Sequence, residues 1–139
     1  MLKLSGFVFN LNSIKWVFIY PSICLIETRL SSKLLVVIAT GERAKALTGL
    51  MYAKNAIKHQ WLDDVKVVYF GPSEQLIYSD PDVANAAIEL ASIGESYACK
   101  AISDRDGISE KIDSFGVRVE YVGSIISEHI KQGYVPMVW

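Results

Sequence analysis

From residue 33 onward the chain reads as apolar blocks alternating with one-sided apolar stripes. Leu34-Leu35-Val36-Val37-Ile38-Ala39 is an unbroken apolar run closed by Thr40-Gly41, the pattern of a strand buried on both faces. Residues 43–60 place Ala46, Leu50, Ala53 and Ile57 at helical spacing and predict an amphipathic helix. A second strand over residues 65–70 is closed by Gly71-Pro72. Asp80-Pro81 opens the next helix. Asp80 can cap its free N–H groups, Pro81 suits the first turn, and Val83, Ala87, Leu90 and Ala91 form its apolar stripe up to Gly94. Residues 97–101 read as a third strand, and Ser103 as the cap of a helix reaching Phe115, with Gly116 beyond it. A fourth strand over 117–122 and a helix over 124–132 follow, stopped by Gly133. Residues 134–139 form the last strand, which Pro136 confines to an edge or a subunit contact because proline lacks a ladder donor.

Strands and helices alternating at this spacing predict βαβ units with right-handed crossovers. The expected fold is a three-layer α/β domain over residues 33–139, with a mostly parallel five-stranded sheet and helices on both faces. Ligands on such sheets bind at the carboxyl ends of the strands. That rule selects the loops at 40–43, 71–74, 99–105 and 123–127.

Residues 1–32 differ in kind. They contain no Asp, a single Glu (Glu27), and aromatic residues at Phe7, Phe9, Trp16, Phe18 and Tyr20. The apolar run from Trp16 to Ile26, broken by Pro21, is shorter than the roughly 20 residues a bilayer span requires. Glu27-Thr28-Arg29 is a poor export cleavage site. The segment is expected to be an extension outside the core domain, or the product of a start assigned too far upstream. An added element packing on the domain, or an export or membrane segment, are the competing readings.

Composition narrows the function classes. The 139 residues are 51% hydrophobic and 21% charged, enough for a sizeable core, and the net charge is −1. No two Lys or Arg residues are adjacent, so no basic stripe marks a nucleic-acid footprint. Two cysteines, Cys24 and Cys99, are too few for a secreted disulfide scaffold and fit a reducing, cytoplasmic compartment. His59 and His129 have no cysteine or second histidine at metal spacing, so neither a metal nor another cofactor is expected.

Cys99 is the candidate for chemistry. It falls at the end of the third strand, four residues before the expected helix cap at Ser103, with Lys100 and Arg105 close by. Helix N-termini and cations stabilise thiolates. The competing reading is a buried cysteine acting as a small hydrophobe. Thr40-Gly41-Glu42-Arg43 follows a strand and opens a helix but lacks a phosphate-loop pattern, and reads as a plain loop.

Several short segments, taken in order, resemble the DsrE/DsrF-like proteins, a group including the YchN-like proteins and the Tus sulfur-relay subunits. They are the opening strand at 34–39, Val65-Lys66-Val67-Val68-Tyr69-Phe70-Gly71-Pro72, and Tyr97-Ala98-Cys99-Lys100-Ala101. Gly116-Val117-Arg118-Val119, Gly123-Ser124-Ile125-Ile126 and Gly133-Tyr134-Val135 complete the series. The resemblance implies a sulfur carrier or sulfurtransferase. It accepts sulfane sulfur on Cys99 as a persulfide or related adduct and passes it to a partner protein, in a trimer or hexamer of like subunits. The cluster Asp104-Arg105-Asp106 and residues 1–32 have no counterpart in that pattern. Donors for the terminal sulfur are sought in the backbone N–H groups of residues 101–104, with Lys100, Ser103 and Ser124 as substrate-binding candidates. An anion- or small-molecule-binding module on the same loops, and a structural subunit of a hetero-oligomer, are the alternatives in which Cys99 only packs.

Overall fold

A computed structural model describes residues 30–139. Within it, Ser31–Trp139 forms one compact unit. In chain order the elements are β1 (Lys33–Ile38), α1 (Arg43–Lys58), β2 (Asp64–Tyr69), α2 (Pro72–Ser79), α3 (Pro81–Ile93) and β3 (Glu95–Cys99). Then come α4 (Lys100–Arg105), α5 (Ser109–Ser114), β4 (Arg118–Glu120), α6 (Val122–Lys131) and β5 (Val135–Val138). The five strands are all parallel in the order β4-β3-β2-β1-β5. The α/β architecture expected from the alternation is the one observed.

The two sheet faces carry separate apolar clusters, as alternating side-chain direction requires. Val36, Ile38, Val67, Tyr69 and Ala98 point to one face, where Leu50, Ile77, Leu90 and Ile112 from α1, α2, α3 and α5 cover them. Leu35, Val37, Val68, Tyr97 and Cys99 point to the other, beneath Val122, Ile125 and Ile126 of α6 and Ile102 of α4. Helices therefore lie on both faces, but α6 covers the second with little help.

Three elements differ from the sequence expectation, each for a local reason. First, Gly71-Pro72 does not merely end β2; it starts α2. Gly71 takes φ +84, a region open to glycine, and Pro72 occupies the first helical position. Second, the helix expected from Ser103 to Phe115 is two helices. Helix α4 begins directly after β3, with Cys99 itself as N-cap, and Ser103 lies inside it. Gly107, at φ +69, then breaks the chain direction, the Ile108 N–H reaches back to the Ser103 carbonyl at 2.9 Å, and α5 restarts at Ser109. Third, β4 holds only three residues, and α6 begins at Val122 rather than Ser124.

The edge placement of β5 agrees with Pro136. The Trp139 N–H donates to the Val37 carbonyl and its carbonyl accepts from the Ala39 N–H, both at 2.9 Å. Alternation then turns Pro136 away from β1, so its missing donor removes no ladder bond.

Candidate functional site

Cys99 closes β3 at the carboxyl end of the sheet, in the strand next to the β4 edge. Its side chain enters the α6-side cluster, and the residue is 6% exposed. The neighbouring strand ends bracket it. Glu120 stands beside it on β4, and Phe70 follows the end of β2, with its N–H on the Ile38 carbonyl at 3.0 Å. Phe70 and Tyr121, the residues just past β2 and β4, are both exposed.

The polar residues expected around the thiol are each committed elsewhere. The Lys100 ammonium pairs with Asp104 at 3.2 Å, one turn along α4. Arg105 pairs with Asp106, at 2.7 Å from Nε to Oδ1. Ser124 is exposed and donates to the Tyr121 carbonyl at 2.9 Å within its own helix turn. Ser103 is fully buried and donates its hydroxyl hydrogen to Glu74. Ser103 is thus not the cap of the helix after Cys99. With Cys99 as N-cap, the unpartnered first-turn N–H groups begin at Lys100 and include Ala101 and Ile102, whereas Ser103 and Asp104 lie beyond them.

Glu74, unmarked in the sequence reading beyond its loop, is the site's main polar feature. It is fully buried at the third position of α2. Its carboxylate accepts the Gly71 N–H at 3.3 Å and the Ser103 hydroxyl. Burial pushes the Glu74 carboxyl above its ordinary value, the hydrogen bonds to it oppose that shift, and the nearby Asp106 adds to it. Ser73 completes the junction, accepting the Phe70 N–H at 3.1 Å and donating to the Ile38 carbonyl at 2.5 Å. The sequence signal was Gly-Pro followed by a Glu at the third helical position, a capping pattern.

The helix starts at this end of the sheet also carry acidic residues. Glu42 is the N-cap of α1, and the Arg43 guanidinium binds Asp80 at 2.9 Å as well as Asp82. Asp80 caps α3 through the Asp82 and Val83 N–H groups at 2.9 and 3.1 Å, and these bonds with Arg43 hold its carboxyl below the usual range. At the opposite end of the sheet, Lys66 bridges Asp64 at 3.2 Å and Glu95 at 3.5 Å, while the Tyr97 and Tyr134 hydroxyls donate to Glu95 and Asp64. Among the described residues, no group of three or more His, Cys, Asp or Glu side chains could hold a metal ion. No helix among them is long and apolar enough to cross a membrane. Cys24 lies outside the described residues, as does nearly all of the segment at 1–32.

No family model matches the chain. No curated protein matches it either. Among solved structures, it is similar to a conserved protein of unknown function, BT1422, from Bacteroides thetaiotaomicron. The two superpose with a TM-score of 0.68 at 23% identity, over 77% of this chain and 95% of the other. That likeness supports the fold.

Proposed function

We propose that this protein carries sulfane sulfur on Cys99, in the manner of the DsrE/DsrF-like proteins that its segments resemble. The observation behind this reading is the position of the thiol. It ends an interior strand at the ligand-binding end of a parallel sheet and directly precedes the free N–H groups of α4. The chemistry needs neither metal nor organic cofactor. The thiolate attacks the outer sulfur of thiosulfate, a new S–S bond forms, and sulfite departs with the electron pair of the broken bond. A partner thiolate then attacks the outer sulfur of the persulfide and regenerates Cys99. Because Cys99 is 6% exposed, transfer requires displacement of the cover that α6 and Ile102 provide, and a partner docking across Phe70 and Tyr121 would supply it. A cytoplasmic setting keeps the thiol reduced. A homotrimer or hexamer belongs to the same proposal.

The burial of Cys99 favours a second reading, a structural subunit in which the thiol only packs. An anion-binding module on these loops has less support. The carboxylates of Glu42 and Glu74 sit at the starts of α1 and α2, and Arg43 is bound to Asp80 and Asp82. Intact-mass measurement after exposure to thiosulfate separates the first two. A carrier gains one sulfur at Cys99, and a packing cysteine gains none until the protein unfolds.

A further inference from the structure

We propose that α6 is an opening cover over Cys99, held shut by a clasp in which His129 lies between the rings of Tyr97 and Tyr134. The proposal rests on the sulfur-carrier reading and adds to it the step that exposes the carrier thiol to its partners.

The face that holds Cys99 is thinly roofed. Among the described residues, α1, α2, α3 and α5 cover the other face, whereas Val122, Ile125 and Ile126 of α6 and Ile102 of α4 cover this one. Of the ten residues of α6, only Val122 is fully buried. An element with so few buried apolar contacts belongs to the part of a protein that opens locally, ahead of global unfolding. The connectivity permits it, because α6 joins β4 to β5, the two edge strands. The last turn of α6 is fastened by rings instead of aliphatic packing. The His129 ring meets the Tyr134 ring edge-on, with centroids 4.8 Å apart, and the Tyr97 ring at 6.0 Å. Both separations suit favourable aromatic pairs. The His129 Nδ1 donates to the Ile125 carbonyl at 2.7 Å, which holds the imidazole against its own helix. The tyrosines are fixed in turn. The Tyr97 hydroxyl donates to Glu95 at 2.5 Å, the Tyr134 hydroxyl donates to Asp64, and Lys66 bridges the two carboxylates. Tyr97 precedes Cys99 by two residues on β3 and points to the same face, so the clasp and the thiol share one strand. When the clasp parts, what remains over the thiol is the half-buried apolar stripe of α6 and Ile102.

The test uses the full chain carrying Cys24→Ser, so that Cys99 is the thiol that reacts. Alkylation by iodoacetamide is timed by intact mass in buffer and in urea below the unfolding transition. Equilibrium unfolding and sulfur loading from thiosulfate are measured alongside. Opening of α6 alone exposes little surface, so the alkylation rate should rise with urea far less steeply than the global unfolding constant does. His129→Ala is expected to raise the rate in buffer roughly tenfold, the scale of two lost aromatic contacts. Tyr134→Phe, which keeps the ring and loses the bond to Asp64, should raise it by a smaller factor, and it carries the test if His129→Ala fails to fold. Val83→Ala, in the core of the opposite face, should lower the unfolding midpoint and leave the rate in buffer unchanged. Three results overturn the cover: a rate that follows the global unfolding constant in urea, a rate that rises in Val83→Ala as much as in His129→Ala, or a rate unchanged in both clasp variants. Sulfur loading reports separately. If the starting protein takes up no sulfur, the carrier reading fails, and the alkylation rates still uphold or overturn the cover by themselves.

Discussion

The indole of Trp139 lies against Gly49: a Cβ built on that glycine would stand 2.7 Å from the ring and 2.7 Å from the Ile38 side chain. Helix α1 can approach β1 and β5 this closely because position 49 has no side chain. Gly49→Ala would gain about 1 kcal/mol of helix propensity. It would also force an overpacked contact costing about 1–3 kcal/mol. The expected outcome is net destabilisation of about 1 kcal/mol by urea titration, largely relieved when Trp139→Ala is added. Additive effects of the two changes would refute the contact.

Glu74 gives stability a pH dependence of definite sign. Its folded value lies above the ordinary 4.5, so its contribution is fully present below 4.5 and is lost as pH rises through the folded value. Asp80, Asp104 and Asp106 have lowered values and act oppositely, losing their contribution as pH falls. Urea titrations from about pH 4 to about pH 8 should show a declining limb on the neutral side that Glu74→Gln flattens. An unaltered limb in that variant would contradict the assignment.

Much of this was legible in the sequence, because buried parallel strands and one-sided helical stripes are strong signals. The run at residues 34–39 and the Asp80-Pro81 cap lie where the pattern put them. Helix α2 was hidden because Gly71-Pro72 signals a turn and a helix start equally well, and the eight residues that follow carry only a weak stripe. The cap at Ser103 was misplaced because serine is a good N-cap. Its hydroxyl instead meets a carboxylate 29 positions away, which local pattern cannot reveal. Glu74 escaped notice for the same reason. Its long-range partner is that same Ser103 hydroxyl, on another crossover connection.

Among the described residues, a tie between the start of the domain and β2 lies just before β1. The Ser32 N–H and hydroxyl both donate to Asp63, at 2.7 and 3.0 Å, and the Asp63 N–H returns to the Ser32 carbonyl at 2.9 Å. A chain beginning at Ser31 should therefore unfold in one cooperative transition with the midpoint of the full chain, as followed by circular dichroism. A broad, non-cooperative transition would show that residues before Ser31 complete the core.

The end of the chain is less sticky than its composition suggests. Tyr134 is buried, and Met137 and Trp139 pack against the main core, which leaves Val135 and Val138 about two-thirds exposed, at 64% and 66%. The proposed trimer or hexamer would cover those two on an edge strand that would otherwise invite uncontrolled pairing. Sedimentation at micromolar concentration is expected to give three or six times the 15.5 kDa chain mass, with Val138→Lys shifting it toward the monomer. A monomer in the unsubstituted protein would count against the assembly.

The central claim is that Cys99 carries sulfur, and intact mass spectrometry of the full chain after incubation with thiosulfate tests it most directly. The account predicts a mass increase of one sulfur atom that reducing agent removes, that Cys24→Ser keeps, and that Cys99→Ser abolishes without altering assembly. The contradicting result is a native protein whose mass is unchanged by thiosulfate, tetrathionate or a persulfide donor, and whose Cys99 reacts with iodoacetamide only after unfolding. Cys99 would then be a packing residue beneath α6, and the structural-subunit reading would stand in place of the carrier.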